Sequence, residues 1–566
     1  MSGGAAARGR GAAGGGPARG RGALLVCGTH SDAGKSVLTA GICRWLARCG
    51  VSVAPFKAQN MALNSVVSID GGEIGRAQAM QAAAACVAPE AAMNPVLIKP
   101  SGEGESQVVV MGRPFAIADA RSYRRLRREL SPIVSEAFAD LKARFDVVIC
   151  EGAGSPAEIN LRDGDIVNLG LARAHQLPVI IVGDIDRGGV FASLFGTLAL
   201  LSASDQAHVA GFVINRFRGE GSILTPGLDE LQRLTGRPTL GVIPWVDGLA
   251  IDAEDSQALD APARDCATEA AQTLDIVVLR LRFISNFTDL DALAAEPGVR
   301  LRFSRSPVDI ERADLLVLPG TKATVEDLEL LRADRLDRAI EARAQAGGPI
   351  LGICGGYQML GREIEDHVES RRGIVRGLGL LAVRTRFERE KLLRRCVGRC
   401  EWLRSDLGGY EIRHGRVMRD GGGAAAGHGA AAGHGDAPGH GDAAAGGDRL
   451  LSTCEPLILT SRSGEDGLEG CRAGRVIGTS WHGVFEHDAF RRALLCWVAE
   501  VSGRRFTPSR LSFSDARQRQ LDVLGDLVAR HLDTDRLMSL IDGGLPPDLP
   551  VIAARRDDLA QEVQRC

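Results

Sequence analysis

The stretch that most limits what this chain can become lies near its start: Ala23-Leu-Leu-Val-Cys-Gly28-Thr29-His-Ser-Asp-Ala-Gly34-Lys35-Ser36. Its apolar run reads as a buried strand. Its glycine-bounded segment reads as a loop, and Lys35-Ser36 as the opening of a helix. In that order the three form a phosphate-binding loop. Backbone N–H groups and a helix N-terminus face the phosphates, a lysine neutralises them, and a serine hydroxyl is placed to ligate Mg²⁺. Gly28, Thr29, Gly34, Lys35 and Ser36 are therefore the expected nucleotide-binding set, with Ser36 also a metal ligand. Five residues separate Gly28 from Gly34, one more than in the common pattern, which points to a particular branch of nucleotide enzymes.

The helix after Lys35 carries Val37, Leu38, Ile42, Trp45 and Leu46 at helical spacing and stops at Gly50. A second strand is expected over 51–57 and helical, alanine-rich sequence over 73–88. Short β-branched runs recur at 146–150, 178–182 and 209–214, with helical sequence between them. That alternation predicts an α/β fold with a parallel sheet covered by helices. The first domain is expected over 23–250 and a polar linker over 251–273. A second αβ series runs through 275–279, 314–318 and 349–353, in a domain expected over 274–503. A Gly-, Ala- and His-rich insertion, 421–447, interrupts it. His428, His434 and His440 recur there without a carboxylate or cysteine framework, so an insertion is a better reading than a metal site. Residues 504–566 read as a helical extension, and 1–22 as a disordered tail.

Composition narrows the partners. The net charge is −3 and aromatics are 4% of 566 residues, which argues against nucleic acid and membrane surfaces. No apolar run is long enough to cross a bilayer. Residues 1–22 lack the apolar core of a secretion signal. The expected location is cytoplasmic, with most of the 13 cysteines reduced and structural. The arginine-rich stretch 121–128 reads as a solvated helix face, or else as a surface that meets an anionic substrate.

Glu151 directly follows the apolar run 146–150, in Cys150-Glu151-Gly-Ala-Gly-Ser155. An acid at the carboxyl end of a parallel strand beside a phosphate loop is where a Mg²⁺ ligand belongs. Asp184 and Asp186 follow 178–182 in the same way, as walls of a phosphoryl or substrate site or as loop structure. Lys57 ends the second strand, where a cation would hold a transferring phosphoryl group or simply snorkel. Asn215 follows 209–214, either reading an adenine edge or making turn chemistry.

The second domain carries a different chemistry. Gly352-Ile-Cys354-Gly355-Gly356 follows a buried run and precedes helical sequence. This is a nucleophile elbow with sulfur at its tip. The following helix N-terminus favours the thiolate, and Gly355 offers an oxyanion N–H. His482, late in the same domain, suits the role of base, with His487 as a rival. Gly320, in Leu318-Pro-Gly320-Thr321, is placed for the second oxyanion N–H.

Together these motifs resemble glutamine-dependent amidoligases, and closely the cobyric acid synthase family. The resemblance is carried by the phosphate loop, Pro55-Phe-Lys57-Ala-Gln-Asn-Met61, Glu151-Gly-Ala-Gly-Ser-Pro-Ala-Glu158, Gly183-Asp184-Ile-Asp186-Arg-Gly-Gly-Val-Phe191 and Ile214-Asn215-Arg-Phe-Arg-Gly219. It continues through Ile284-Ser-Asn-Phe-Thr-Asp289, Pro319-Gly-Thr-Lys322, Gly352-Ile-Cys354-Gly-Gly-Tyr-Gln358 and Gly409-Tyr-Glu-Ile412, covering roughly 23–545. The first domain also resembles dethiobiotin synthetase, which shares the lengthened loop. The second resembles the class I glutamine amidotransferases, with a flavodoxin-like fold. The resemblance implies ATP- and Mg²⁺-dependent amidation of the b, d, e and g carboxylates of a corrinoid, (adenosyl)cobyrinic acid a,c-diamide. Glutamine would be the nitrogen donor. Cys354 and His482 fall on the glutaminase pair. Related amidotransferases place a glutamate two residues after the histidine, where this chain has Val484, with Glu486 as a weak substitute. The other readings are the a,c-diamide synthase and a partition-type ATPase switch, which would not need the second domain.

Overall fold

The computed structural model describes residues 21–101, 104–249, 273–420, 454–460, 467–510 and 512–552. The tail over 1–20, nearly all of the 251–273 linker and the 421–447 insertion lie outside these residues.

The phosphate-loop strand, Gly22–Gly28, stands inside a fully parallel six-stranded sheet. Its order is Thr239–Pro244, Val209–Phe217, Val179–Asp184, Gly22–Gly28, Val147–Glu151, Val53–Phe56. The central strands are continuous apolar runs because both of their faces are covered. Leu25 and Cys27 point into one core, with Phe138 and Leu141 of the helix Ala120–Arg144. Leu24 and Val26 point into the other, with Leu38 and Ile42 of the helix Lys35–Arg48.

That second core is completed from the far end of the chain. Leu524 and Val528 of the helix Phe513–His531, and Leu537 and Ile541 of Thr534–Gly543, pack into it. The approach is close: a Cβ at Gly22 would lie 1.8 Å from the Ile541 carbonyl oxygen, and one at Gly41 2.9 Å from that of Leu524. Arg44 Nε, mostly buried, donates to Asp522 at 2.9 Å. The helical extension therefore belongs to the phosphate-loop half in space.

The 73–88 segment is helical only over Arg76–Ala84; Glu73–Gly75 pairs antiparallel with Ser65–Val67. A separate four-stranded sheet is built from Gln59–Met61, Val96–Pro100, Ser106–Val110 and Arg113–Ala118. The arginine-rich stretch lies at the start of Ala120–Arg144, with most of its side chains exposed.

The second half has a six-stranded sheet ordered Val299–Ser304, Leu274–Leu279, Leu315–Leu318, Ile350–Ile353, Val476–Thr479, Cys471–Ala473. All neighbours are parallel except the last pair. A long antiparallel hairpin, Val383–Cys400 with Ser405–Arg419, rises beside it. The halves meet through buried contacts. Ser65 N donates to Asn286 Oδ1 at 2.8 Å, and Phe287 N to Asn64 Oδ1 at 3.1 Å. Val66, Val67 and Ile74 of the first half pack on Tyr410 and Ile412 of the second.

Candidate active sites

The phosphate loop turns through Gly34 at φ +99°, a conformation that favours glycine. A Cβ there would also lie 2.0 Å from the Asn215 amide nitrogen. Asn215 Nδ2 donates to the Ala33 carbonyl at 3.1 Å, so this amide braces the loop. Lys35, buried, donates to the His30 carbonyl at 2.8 Å.

Glu151 ends its strand completely buried. Its Oε1 accepts from Ser36 Oγ at 2.8 Å and from Lys57 Nζ at 2.9 Å, and Gln81 Nε2 donates to its Oε2. The fold therefore brings together Ser36, Lys57 and Glu151, and adds Gln81. A hydroxyl and a carboxylate side by side, next to a phosphate loop, fit Mg²⁺, which takes one or two protein oxygens and completes its shell with phosphates and water. Among the described residues no cluster of three or more His, Cys, Asp or Glu could hold a metal.

Asp184 and Asp186 are not part of this group. Asp184 ends the strand on the other side of Gly22–Gly28, two strand spacings or about 10 Å from Glu151. Arg216 holds Asp184 at 2.8 Å and Arg218 holds Asp186 at 3.0 Å. Asp184 belongs to an ion-pair network with Arg187, Arg216 and Asp32 along the loop edge, and Asp186 forms a separate pair with Arg218.

In the second half, Cys354 sits at φ 48°, ψ −105° between the strand Ile350–Ile353 and the helix Gly355–Leu360. Such backbone strain costs about 1–3 kcal/mol and persists only where the surroundings enforce it. Here the Cys354 N–H donates to Thr479 O at 2.8 Å, and Gly356 N to Pro319 O at 3.1 Å. The flanking glycines are required by space: a Cβ at Gly352 would lie 2.7 Å from Tyr357 N, and one at Gly356 2.0 Å from Leu318 O. Gly355 opens the helix, so its N–H has no partner one turn back. Gly320 approaches from the next strand end; a Cβ there would lie 2.9 Å from His482 Cε1.

His482 is 1% exposed and lines one narrow cavity with Cys354, Gln358, Lys322, Arg413 and Lys99. His487 instead stands at the position just before the helix Asp488–Val501, without a capping hydrogen bond from its side chain. The partner of His482 is Asp289, which sequence reasoning passed over. Asp289 Oδ2 lies 2.6 Å from His482 Nδ1, and its Oδ1 accepts from Gly483 N at 2.9 Å. Burial opposes a charge on His482, but the Asp289 carboxylate and the Cys354 sulfur outweigh it, and the pKa is pushed up to about 10. Glu486 is engaged elsewhere, with Arg76 of the first half at 2.6 Å. The only signal for Asp289 was its place in Ile284-Ser-Asn-Phe-Thr-Asp289. The Gly409-Tyr-Glu-Ile412 stretch also gains a physical role. Tyr410 and His482 exchange backbone hydrogen bonds at 3.0 and 2.9 Å, and a Cβ at Gly409 would lie 2.4 Å from the His482 carbonyl oxygen.

The cavity reaches into the domain junction. Lys99 of the first half and Lys391 of the second line it, and both pair with the fully buried Glu73. Burial would raise the Glu73 carboxyl, but the two lysines overcome it and hold the group well below its usual range. A wider cleft shares Lys322, Glu369 and His414 with this cavity and runs out between Phe115 and Arg371. Among the described residues no helix is long and apolar enough to cross a membrane.

Comparison with known proteins agrees with the division into two sites. Residues 24–259 match the CobQ/CobB/MinD/ParA nucleotide binding domain, and residues 275–490 match the CobB/CobQ-like glutamine amidotransferase domain. A protein of Frankia casuarinae named cobyric acid synthase is 54% identical over 94% of this chain and 98% of its own length. Namesakes in Streptomyces avermitilis and Rhodococcus jostii are 53% and 51% identical, each over 94% of this chain and 98% of their own. With both domains matched in order and half of its residues shared along nearly its whole length, the chain belongs to the cobyric acid synthase family.

Proposed function

We propose that the chain amidates the b, d, e and g carboxylates of (adenosyl)cobyrinic acid a,c-diamide, consuming one ATP and one glutamine per amide. The observation that carries this reading is the pairing of two different sites in one body. One is a phosphate loop with Ser36, Lys57 and Glu151. The other is a cysteine elbow with His482 and Asp289, and its cavity is walled by a residue of the phosphate-loop half.

A carboxylate is a poor acceptor for ammonia because its leaving group would be oxide. Attack of a carboxylate oxygen on the γ-phosphorus releases ADP with the bond electrons and leaves an acyl phosphate; ammonia then attacks its acyl carbon, and inorganic phosphate departs as the amide forms. Lys35 and the loop N–H groups spread the charge of the moving phosphoryl group. Ser36 and Glu151 would hold Mg²⁺, which when bound neutralises phosphate charge. Asn215 keeps the loop in shape, and Lys57 donates to Glu151 Oε1 and holds that carboxylate in place.

In the second site Cys354 Sγ attacks the glutamine carboxamide. The N–H groups of Gly355 and Gly320 receive the oxyanion, and His482 donates a proton to the departing ammonia. Asp289 holds the imidazole by Nδ1, leaving Nε2 for the thiol and the leaving group. Water then frees glutamate. Ammonia stays uncharged by crossing the junction, where Val66, Val67 and Ile74 meet Tyr410 and Ile412 and exclude water. Cys354→Ala tests the scheme: glutamine-dependent amidation is abolished while ammonia-dependent amidation at high pH is retained. Equal loss of both would contradict it.

A further inference from the structure

The acid that orients His482 stands on a segment held by the other half of the chain. Asp289 lies in the short helical turn Phe287–Leu290, and Asn286 just before it has φ +52°. Left-handed backbone at a residue other than glycine is uncommon and persists where the surroundings enforce it. Here the phosphate-loop half does so. Ser65 N donates to Asn286 Oδ1 at 2.8 Å, and Phe287 N donates to Asn64 Oδ1 at 3.1 Å. Asn64, Ser65, Asn286 and Phe287 are all buried. On its other side the segment is tied to the oxyanion region, because Ser285 N donates to Gly320 O at 2.8 Å. Asp289 then reaches His482 Nδ1 and Gly483 N.

A second grip falls just beyond the histidine. The turn Val484–Glu486 follows Gly483, and the buried Arg76 pairs with Glu486 at 2.6 Å. The two grips are joined inside the first half, where Arg76 N donates to Asn64 O at 3.0 Å. Arg76 also opens the helix Arg76–Ala84, which carries Gln81 onto Glu151 of the phosphate site about 7.5 Å further along its axis. The start of that helix is tightly packed: a Cβ at Gly75 would lie 2.5 Å from both Asn60 Nδ2 and Gln78 Oε1. Arg76 therefore projects from a fixed base.

Val66, Val67 and Ile74 already join the halves by apolar contact, which is non-directional. Hydrogen bonds to a left-handed turn do something further, since they fix the position of a backbone. A displacement of about 1 Å in a group that orients a reacting side chain is enough to cost about a hundredfold in rate. We infer that Asn64 and Arg76 are positioning residues of the glutaminase site: the phosphate-loop half clamps the 286–289 and 483–486 segments at the separation that lets Asp289 orient His482. Cys354, His482 and Asp289 all belong to the second half, but their registration comes from the first. The inference rests on the glutamine-hydrolysing reading of Cys354 and His482.

The test compares the full chain with Asn64→Ala and Glu486→Gln, one variant for each grip. In Asn64→Ala, kcat for glutamine hydrolysis is expected to fall about tenfold with KM within about twofold, while ammonia-driven amidation stays within about twofold. The pH midpoint for alkylation of Cys354 by iodoacetamide, followed by mass spectrometry of its peptide, is expected to rise. A misplaced Asp289 supports the imidazolium less, and the imidazolium then supports the thiolate less. A smaller folded fraction would depress every rate together and leave that midpoint where it was. Glu486 is partly exposed, so Glu486→Gln decides alone if Asn64→Ala does not fold; its kcat for glutamine hydrolysis is expected to fall more than about threefold. Glutamine hydrolysis within threefold of the parent in every variant that folds overturns the clamp, as does an unmoved alkylation midpoint or an equal fall in ammonia-driven amidation. Failure of the parent chain to hydrolyse glutamine at all would instead overturn the reading of Cys354 and His482, and the clamp with it.

Discussion

Asp289→Asn isolates the residue that the geometry adds to the glutaminase pair. The replacement keeps size and one hydrogen bond but removes the negative charge 2.6 Å from His482 Nδ1. A charge-assisted hydrogen bond of this kind contributes about 2–3 kcal/mol when neither partner reaches water. Asp289 and His482 are 3% and 1% exposed, so solvent does not dilute the effect. At about 1.4 kcal/mol per factor of ten, kcat/KM for glutamine hydrolysis is expected to fall about 30- to 150-fold. Ammonia-dependent amidation should be untouched, because the phosphate-loop site does not contain Asp289. Stability carries the same signature. The folded pKa of His482 is raised from 6.5 to about 10. Its contribution is therefore complete below pH 6.5 and is lost as pH climbs through about 10. Urea midpoints measured across that window should decline for the parent chain and decline less for Asp289→Asn. Glutamine hydrolysis within threefold of the parent would refute the reasoning, as would an equal loss of ammonia-driven activity.

Glu151→Gln leaves Lys57 buried beside a neutral amide; breaking a buried pair costs about 3–5 kcal/mol. It should lower both glutamine- and ammonia-driven amidation by about 100-fold or more, while glutamine hydrolysis without acceptor survives; steady-state assays of the three activities separate these effects. Gly409→Ala pushes a Cβ to 2.4 Å from the His482 carbonyl oxygen. Overpacking of that kind costs about 1–3 kcal/mol, and here it should depress glutamine hydrolysis while nucleotide affinity, measured by titration, stays unchanged.

The parts of this molecule that were legible in the sequence are those whose cause is local. The strands near 146–150, 178–182 and 209–214 could be read because a parallel strand buried on both faces must be apolar throughout. Glu151 stood out as the acid that ends such a run. Cys354 stood out because only glycine fits on both sides of the turn it occupies. Asp289 could not be found this way. It meets His482 across 193 positions, and apart from its place in Ile284-Ser-Asn-Phe-Thr-Asp289 nothing distinguishes it from a helix-start aspartate. The same holds for the last helices: Arg44 and Asp522 are 478 positions apart, so an extension at the end of the chain turns out to complete a core that begins at its start. Between 59 and 118 the strands are short and mixed in character, and only the helix among them showed in the sequence, through its alanine-rich composition. Asp184 and Asp186 stand where the sequence placed them, after the strand near 178–182, but the arginines that pair with them come from the end of the neighbouring strand and could not be matched to them from sequence.

The central claim is that one chain activates carboxylates of a partly amidated corrinoid and supplies their nitrogen from glutamine. Mass spectrometry of the product formed from the a,c-diamide, ATP, Mg²⁺ and glutamine tests it most directly. The account predicts the gain of four amides on the diamide. Two amides gained on cobyrinic acid, with the diamide left unchanged, would contradict it.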